Sequence, residues 1–163
     1  MPIYVFTSTN LTNIWAGIGA GLWAVSKSNH VPTNKGRITK SKDMRIGSFG
    51  VLDCSKNHCL TTPFVVLSNP DPERIVEDVW PETWVLPFKI HPLGTPKKLL
   101  QWEDAKHVLP SPRQLNVTNL NTIINVQATT VFAASKLTEA DWEVLVSYLA
   151  EGTGPNIQII DDL

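Results

Sequence analysis

The chain has 163 residues, of which 42% are hydrophobic and 18% charged, with a formal net charge of −1. Such a length suits one domain with one substantial core, and the near-neutral balance argues against a protein that holds nucleic acid by bulk electrostatics. No apolar run approaches the roughly 18 residues of a membrane span, and "MPIYVFTS" lacks a secretory signal, so a soluble, cytoplasmic protein is expected.

In chain order, "IYVFTS" at 3–8 reads as a first strand. Asn10 or Thr9 can cap a short helix carrying Leu11, Ile14, Trp15 and Ile18 at helical spacing, ended by Gly19 and Gly21. "LWAVS" at 22–26 is a short apolar strand or turn, and residues 27–43, polar with Pro32 and Gly36, form a long loop. Two strands joined by "SKNH" make a hairpin through "MRIGSFGVLDC" and "CLTTPFVVLS". "NPDPE" is a turn, "PERIVED" a solvated loop, and "WVLPFKI" a strand in which Pro87 marks an edge or bulged position. Residues 94–115 are loop-rich, with a turn of helix around Trp102 to His107. "NTIINVQ" reads as a further strand. "LTEADWEVLVSYLAEG" is the clearest helix, capped by Thr138 with Asp141 three residues on and stopped by Gly152. The fold expected is α+β: a small, strongly curved sheet or pseudo-barrel of about six strands with peripheral helices, built from hairpins more than βαβ units. It occupies residues 1–152, and 153–163 are a tail or linker.

Chemistry-bearing motifs are few. No G-x-S-x-G, Walker or dinucleotide-binding pattern occurs, and the four histidines are dispersed. Cys54 and Cys59 in "CSKNHC" lack metal-ligand spacing and are expected to flank the hairpin tip as free thiols. A binding protein without cofactor or metal is therefore expected rather than an enzyme. Charge is unevenly spread: Lys27, Lys35, Arg37, Lys40, Lys42 and Arg45 face a single acid, Asp43, whereas no basic residue follows Lys136. The basic strip suits modest, salt-sensitive phosphate contact. Six tryptophans are present, and Trp80 and Trp84 sit four apart beside Pro81 and Pro87 in "DVWPETWVLPFKIHPL". Two indoles on a proline-broken surface stretch favour a pocket or a partner surface. Trp15 and Trp142, at helical core spacing, are expected in the core, while Trp102 stays open.

Residues 7–26, "TSTNLTNIWAGIGAGLWAVS", place Ser8 at the end of the first strand and Asn13 ten residues before Trp23, with a short helix between. Together with Trp80 and Trp84 ahead of "PFKI", and a central hairpin between the two halves, this resembles a YTH-type domain over roughly residues 3 to 93. YTH domains read N6-methyladenine, and they are similar in fold to EVE domains and to the DNA-reading modules of McrB-like restriction systems, within the PUA-like group.

The resemblance implies an aromatic cage of Trp23, Trp80 and Trp84 around one flipped base. It implies hydrogen bonds donated to that base by the Asn13 amide and by the chain around Ser8 and Thr9, with the carbonyl of Trp23 or Ala24 accepting from its amine. Thr9 replaces a polar amide found in some relatives. The family's phosphate-contacting positions are not matched, and Lys27, Lys35, Arg37 and Lys40 are the substitutes. The function implied is non-catalytic recognition of a methylated base, N6-methyladenine in DNA first, as targeting module of a modification-dependent restriction system. Nucleic acid is then the partner, with a nuclease or AAA+ motor beside it. A reader of modified cytosine, or a PUA-like RNA-binding module indifferent to modification, is the alternative.

Overall fold

The computed structural model describes residues 1–126 and 131–151; the expected tail and the Gly152 stop lie outside them. The first strand, β1 (Ile3–Ser8), is followed by α1 (Leu11–Ala20) and β2 (Leu22–Ser26). Asn10 caps α1, its side chain accepting from the Asn13 N–H at 2.9 Å. Gly21 closes the helix in the left-handed region at φ 66°, where a residue without Cβ pays no steric penalty.

The expected loop at 27–43 is instead largely a helix, α2 (Val31–Ser41). His30 caps it, with Nδ1 accepting from the Thr33 N–H, and Pro32 lies in the first turn. A proline there removes an N–H that would have no helical partner anyway, so it starts the helix rather than breaking it.

The hairpin β3 (Phe49–Cys54) and β4 (Cys59–Val66) forms as expected, with Cys54 opposite Cys59 and both thiols free and buried. Thr62, at φ 50°, is an extra residue between Thr61 and Pro63, which face Leu52 and Val51. The bulge carries Pro63 past a ladder position it could not donate to.

Within the expected solvated loop, Ile75–Val76 form a two-residue strand, β5, and Val76 is buried. The long strand β6 (Trp84–Pro92) lies inside the sheet, pairing β2 and β5 through its first half and β4 through its last. Of the two positions open to Pro87, the bulge is the one realised. Trp23 faces Phe88 and Val25 faces Val85, so Ala24 lies opposite both Leu86 and Pro87, and Leu86 takes φ 56°. A last strand, β7 (Leu99–Gln101), pairs with β4.

Helices α3 (Trp102–Val108), α4 (Pro110–Leu115), α5 (Asn121–Ile124) and α6 (Glu139–Leu149) follow. The strand expected in "NTIINVQ" is thus a helical turn in its described part. Ile123 and Ile124 are adjacent yet both buried there, as helical geometry allows and a one-faced strand does not. Helix α6 carries the expected capping box of Thr138 and Asp141.

Among the described residues the strands run β1-β3-β4-β6-β2, with β5 and β7 added, in a strongly curled half-barrel sheet, in keeping with the expected six or so. Strands β1 and β3 are parallel and the other pairs antiparallel. Each face carries its own core. Along β1, Ile3 belongs to the core that buries parts of α3, α5 and α6, and Tyr4 and Phe6 to the one under α1. The two-residue period of a strand puts successive side chains on opposite faces, so a chain buried on both sides reads as a continuous apolar run. The α1-side core holds Phe6, Phe64, Phe88, Phe132 and three of the six tryptophans. Truncation of a ring such as Phe64, fully buried, costs about 3–5 kcal/mol in comparable cores.

Candidate functional site

Helix α1 builds one side of the site. Its buried residues are Asn13, Ile14 and Gly17, a stripe of one helical turn. At Gly17 a Cβ would stand 2.9 Å from the ring of Trp23 and 2.9 Å from the Leu22 carbonyl oxygen, so a glycine lets the indole lie against the helix. That close approach fixes the helix's rotation. Trp15 is thereby turned outward and is 43% exposed, contrary to the core position expected of it. Trp142 is buried as expected. Trp102 is half-buried and donates its indole N–H to Asp53 at 2.8 Å.

Trp23, Trp80 and Trp84 converge, but on one another. Trp80 and Trp84 are stacked, with centroids 4.2 Å apart and planes at 12°. Trp23 stands edge-on to both, at 5.7 and 5.4 Å. A base sandwiched between parallel rings needs them about 7 Å apart, twice an ordinary contact. No base fits between Trp80 and Trp84, and the three-walled box implied by the resemblance is not formed in this arrangement. Trp80 is the wall displaced. Its indole N–H donates to the Asn13 carbonyl at 2.9 Å, anchoring it behind Trp84.

The open space lies beside the indoles. A cavity of about 450 Å³ is lined by Trp23 and Trp84, by Ser8, Thr9, Asn13 and Ala24, and by Arg37; Trp80 is absent from its walls. Six of the seven base-contacting residues expected from the sequence therefore share one cavity. The volume lies in the range of roughly 300–1,000 Å³ common for small-ligand sites. Two polar groups in it invite a ligand. The Ser8 hydroxyl is buried with no hydrogen-bond partner among the described residues, a state that costs free energy unless something fills it. The Asn13 side-chain amide makes no protein hydrogen bond among the described residues, its backbone alone being engaged by Asn10 and Trp80.

Of the basic residues, Arg37 reaches the cavity from α2 and donates Nη1 to the Ser26 carbonyl at 2.8 Å. Burial lowers its pKa. Lys27, Lys35 and Lys40 are exposed and do not line the cavity. Sequence reasoning missed Glu82, Ser55, Asn125, Val126 and Val131, which also line the cavity. Glu82 had a faint signal in its place two residues before Trp84, whose indole N–H it accepts at 3.2 Å. Nothing local marks the others; tertiary packing brings them in.

Outside the cavity lining, Asp53 is buried and accepts from the Thr7 hydroxyl at 2.7 Å as well as from Trp102. Burial raises its pKa, against the pull of those two hydrogen bonds. Burial, with Cys54 and Asp53 nearby, pushes the Cys59 thiol up to about 11. Among the described residues no group of three or more His, Cys, Asp or Glu side chains could hold a metal ion, and no helix is long and apolar enough to cross a membrane.

No family model and no curated protein matches the chain. Solved structures do. The Mmi1 YTH domain superposes with a TM-score of 0.55 over 99% of each chain at 12% identity. The same domain in complex with RNA gives 0.55 over 99% of this chain and 82% of that one, at 11% identity. At such identities the likeness is one of fold, and the fold of this chain is YTH-like.

Proposed function

We propose that the chain is a non-catalytic nucleic-acid reader that takes a single base into the cavity beside Trp23 and Trp84. N6-methyladenine in DNA is its first ligand. The observation that carries this reading is the joining, in one cavity, of two indoles with the unpartnered Ser8 hydroxyl and the Asn13 amide. An apolar wall with a few convergent polar groups is what a flat heterocycle with a hydrogen-bonding edge requires.

The magnitudes set what the site must do. Base–aromatic contact supplies about 1–3 kcal/mol. Burying one methyl group adds about 0.8 kcal/mol, some fourfold in affinity. Larger discrimination needs a dry pocket that penalises an amine deprived of its solvent partners. A duplex target adds a flipping cost of a few kcal/mol. The exposed Lys27, Lys35 and Lys40, with Arg37 at the cavity, offer salt-sensitive phosphate contact against that cost. A role as targeting module beside a nuclease or motor follows from the sequence resemblance to McrB-like systems. RNA is the second reading, favoured because a structure of the same fold is a complex with RNA; a single strand also avoids most of the flipping cost.

Fluorescence polarisation with single- and double-stranded DNA and RNA, each carrying one N6-methyladenine, one 5-methylcytosine or no modification, tests the proposal. The expected result is preference for N6-methyladenine by more than fourfold, with Trp84→Ala weakening binding about tenfold or more. Equal affinity for methylated and unmethylated probes contradicts it.

A further inference from the structure

Resting on the reader function just proposed, we infer that Trp80 is a positioning residue for base identity and not a wall that senses the methyl group. The indole is 3% exposed and takes no part in the cavity lining. One of its faces stacks on Trp84 and it meets Trp23 with the ring planes at 80°, so the contacts that would make it a wall are spent on other tryptophans.

Its polar end explains why a tryptophan stands there. The indole N–H reaches across 67 positions of chain to the carbonyl of Asn13, in a buried hydrogen bond of 2.9 Å. Asn13 is the third residue of α1, and its own N–H is held at 2.9 Å by the Asn10 cap. A carbonyl has two lone pairs, so the indole takes one without breaking the helix ladder. Both ends of residue 13 are thus fixed, one by the cap and one by Trp80. The side chain left over is the amide lining the cavity. Trp80 thereby couples the stack behind Trp84 to the group that reads hydrogen bonds on a base edge. Phenylalanine could fill the same apolar space but could not hold Asn13.

The two roles separate experimentally. A wall senses the methyl group, whereas a residue acting through the Asn13 amide governs adenine against cytosine. The test measures affinities of the whole chain, wild type and Trp80→Phe, for oligonucleotides bearing N6-methyladenine, adenine, N4-methylcytosine or cytosine at one position. A second variant carries 3-benzothienylalanine at residue 80, a tryptophan isostere with sulfur in place of the N–H. It keeps the stack and the volume, and so decides the matter where Trp80→Phe does not fold.

The expected result is binding of methylated adenine weakened about tenfold, with the adenine-to-cytosine preference collapsing and the methylated-to-unmethylated ratio kept. In the background of Asn13→Ala, the same replacement should weaken binding no further, since coupled residues are not additive. Loss of the methyl ratio with base preference intact overturns the inference, as does unchanged binding. A wild-type chain that binds none of these probes overturns the reader function itself, and this inference with it.

Discussion

Asp53 lies outside the cavity lining but holds Thr7, which belongs to it. Its carboxylate receives the Thr7 hydroxyl from β1 and the Trp102 indole from α3, joining the strand that carries Ser8 to the opposite core. Burial raises its pKa. A carboxyl with a higher pKa folded than unfolded binds protons preferentially when folded. Its contribution is therefore fully present below the unfolded value of about 3.9 and lost as pH rises through the folded one. Melting temperatures of the wild type and Asp53→Asn across pH 4 to 7 should show the wild type gaining on the variant as pH falls. A constant difference contradicts this. At this scale the sequence was informative where a residue's role depends on near neighbours. Ser8 ends a strand, Asn13 lies inside the capped turn, and Trp23 follows the glycine cap. Asp53 gave no sign, because its partners lie 46 and 49 positions away.

Among the elements, α1 against β2 matters most to the site. The glycine at position 17 lets the helix descend onto Trp23 and so places Asn13 over the cavity. Replacing it by alanine would normally favour a helix. Here the added methyl meets the ring at 2.9 Å, and overpacking of that kind costs about 1–3 kcal/mol. Urea denaturation of Gly17→Ala should show a net loss of stability, together with weaker oligonucleotide binding as Trp23 is displaced. A stabilised variant with unchanged binding contradicts the close fit. Strand, hairpin and capping signals placed β1, β3, β4 and α6 correctly. They misled where a proline was read as a breaker: Pro32 begins α2, whereas for Pro87 the bulge, one of the two positions expected, is realised inside the sheet. Helical spacing on α1 likewise pointed to Trp15. The tighter seat on Gly17 chose a different stripe.

For the molecule as a whole, the curled sheet separates two cores. The α1-side core carries the tryptophan cluster, while α3, α5 and α6 pack on the other. Local patterns foretold a curved, hairpin-rich sheet. They carried no information on the parallel pairing of β1 with β3 or on the order β1-β3-β4-β6-β2, which non-local contacts decide. For the same reason residues as distant as Ser8, Trp84 and Val131 lining one cavity could not be read from spacing alone. The three indoles meeting one another, with the space beside them, is also a property of the folded whole. The most direct measurement is a crystal structure of the chain with an oligonucleotide bearing a single N6-methyladenine. The account predicts the modified base in the cavity against Trp23 and Trp84, within hydrogen-bond distance of the Ser8 hydroxyl and the Asn13 amide, with Trp80 still donating to the Asn13 carbonyl. An oligonucleotide bound on another face with that cavity empty would contradict it.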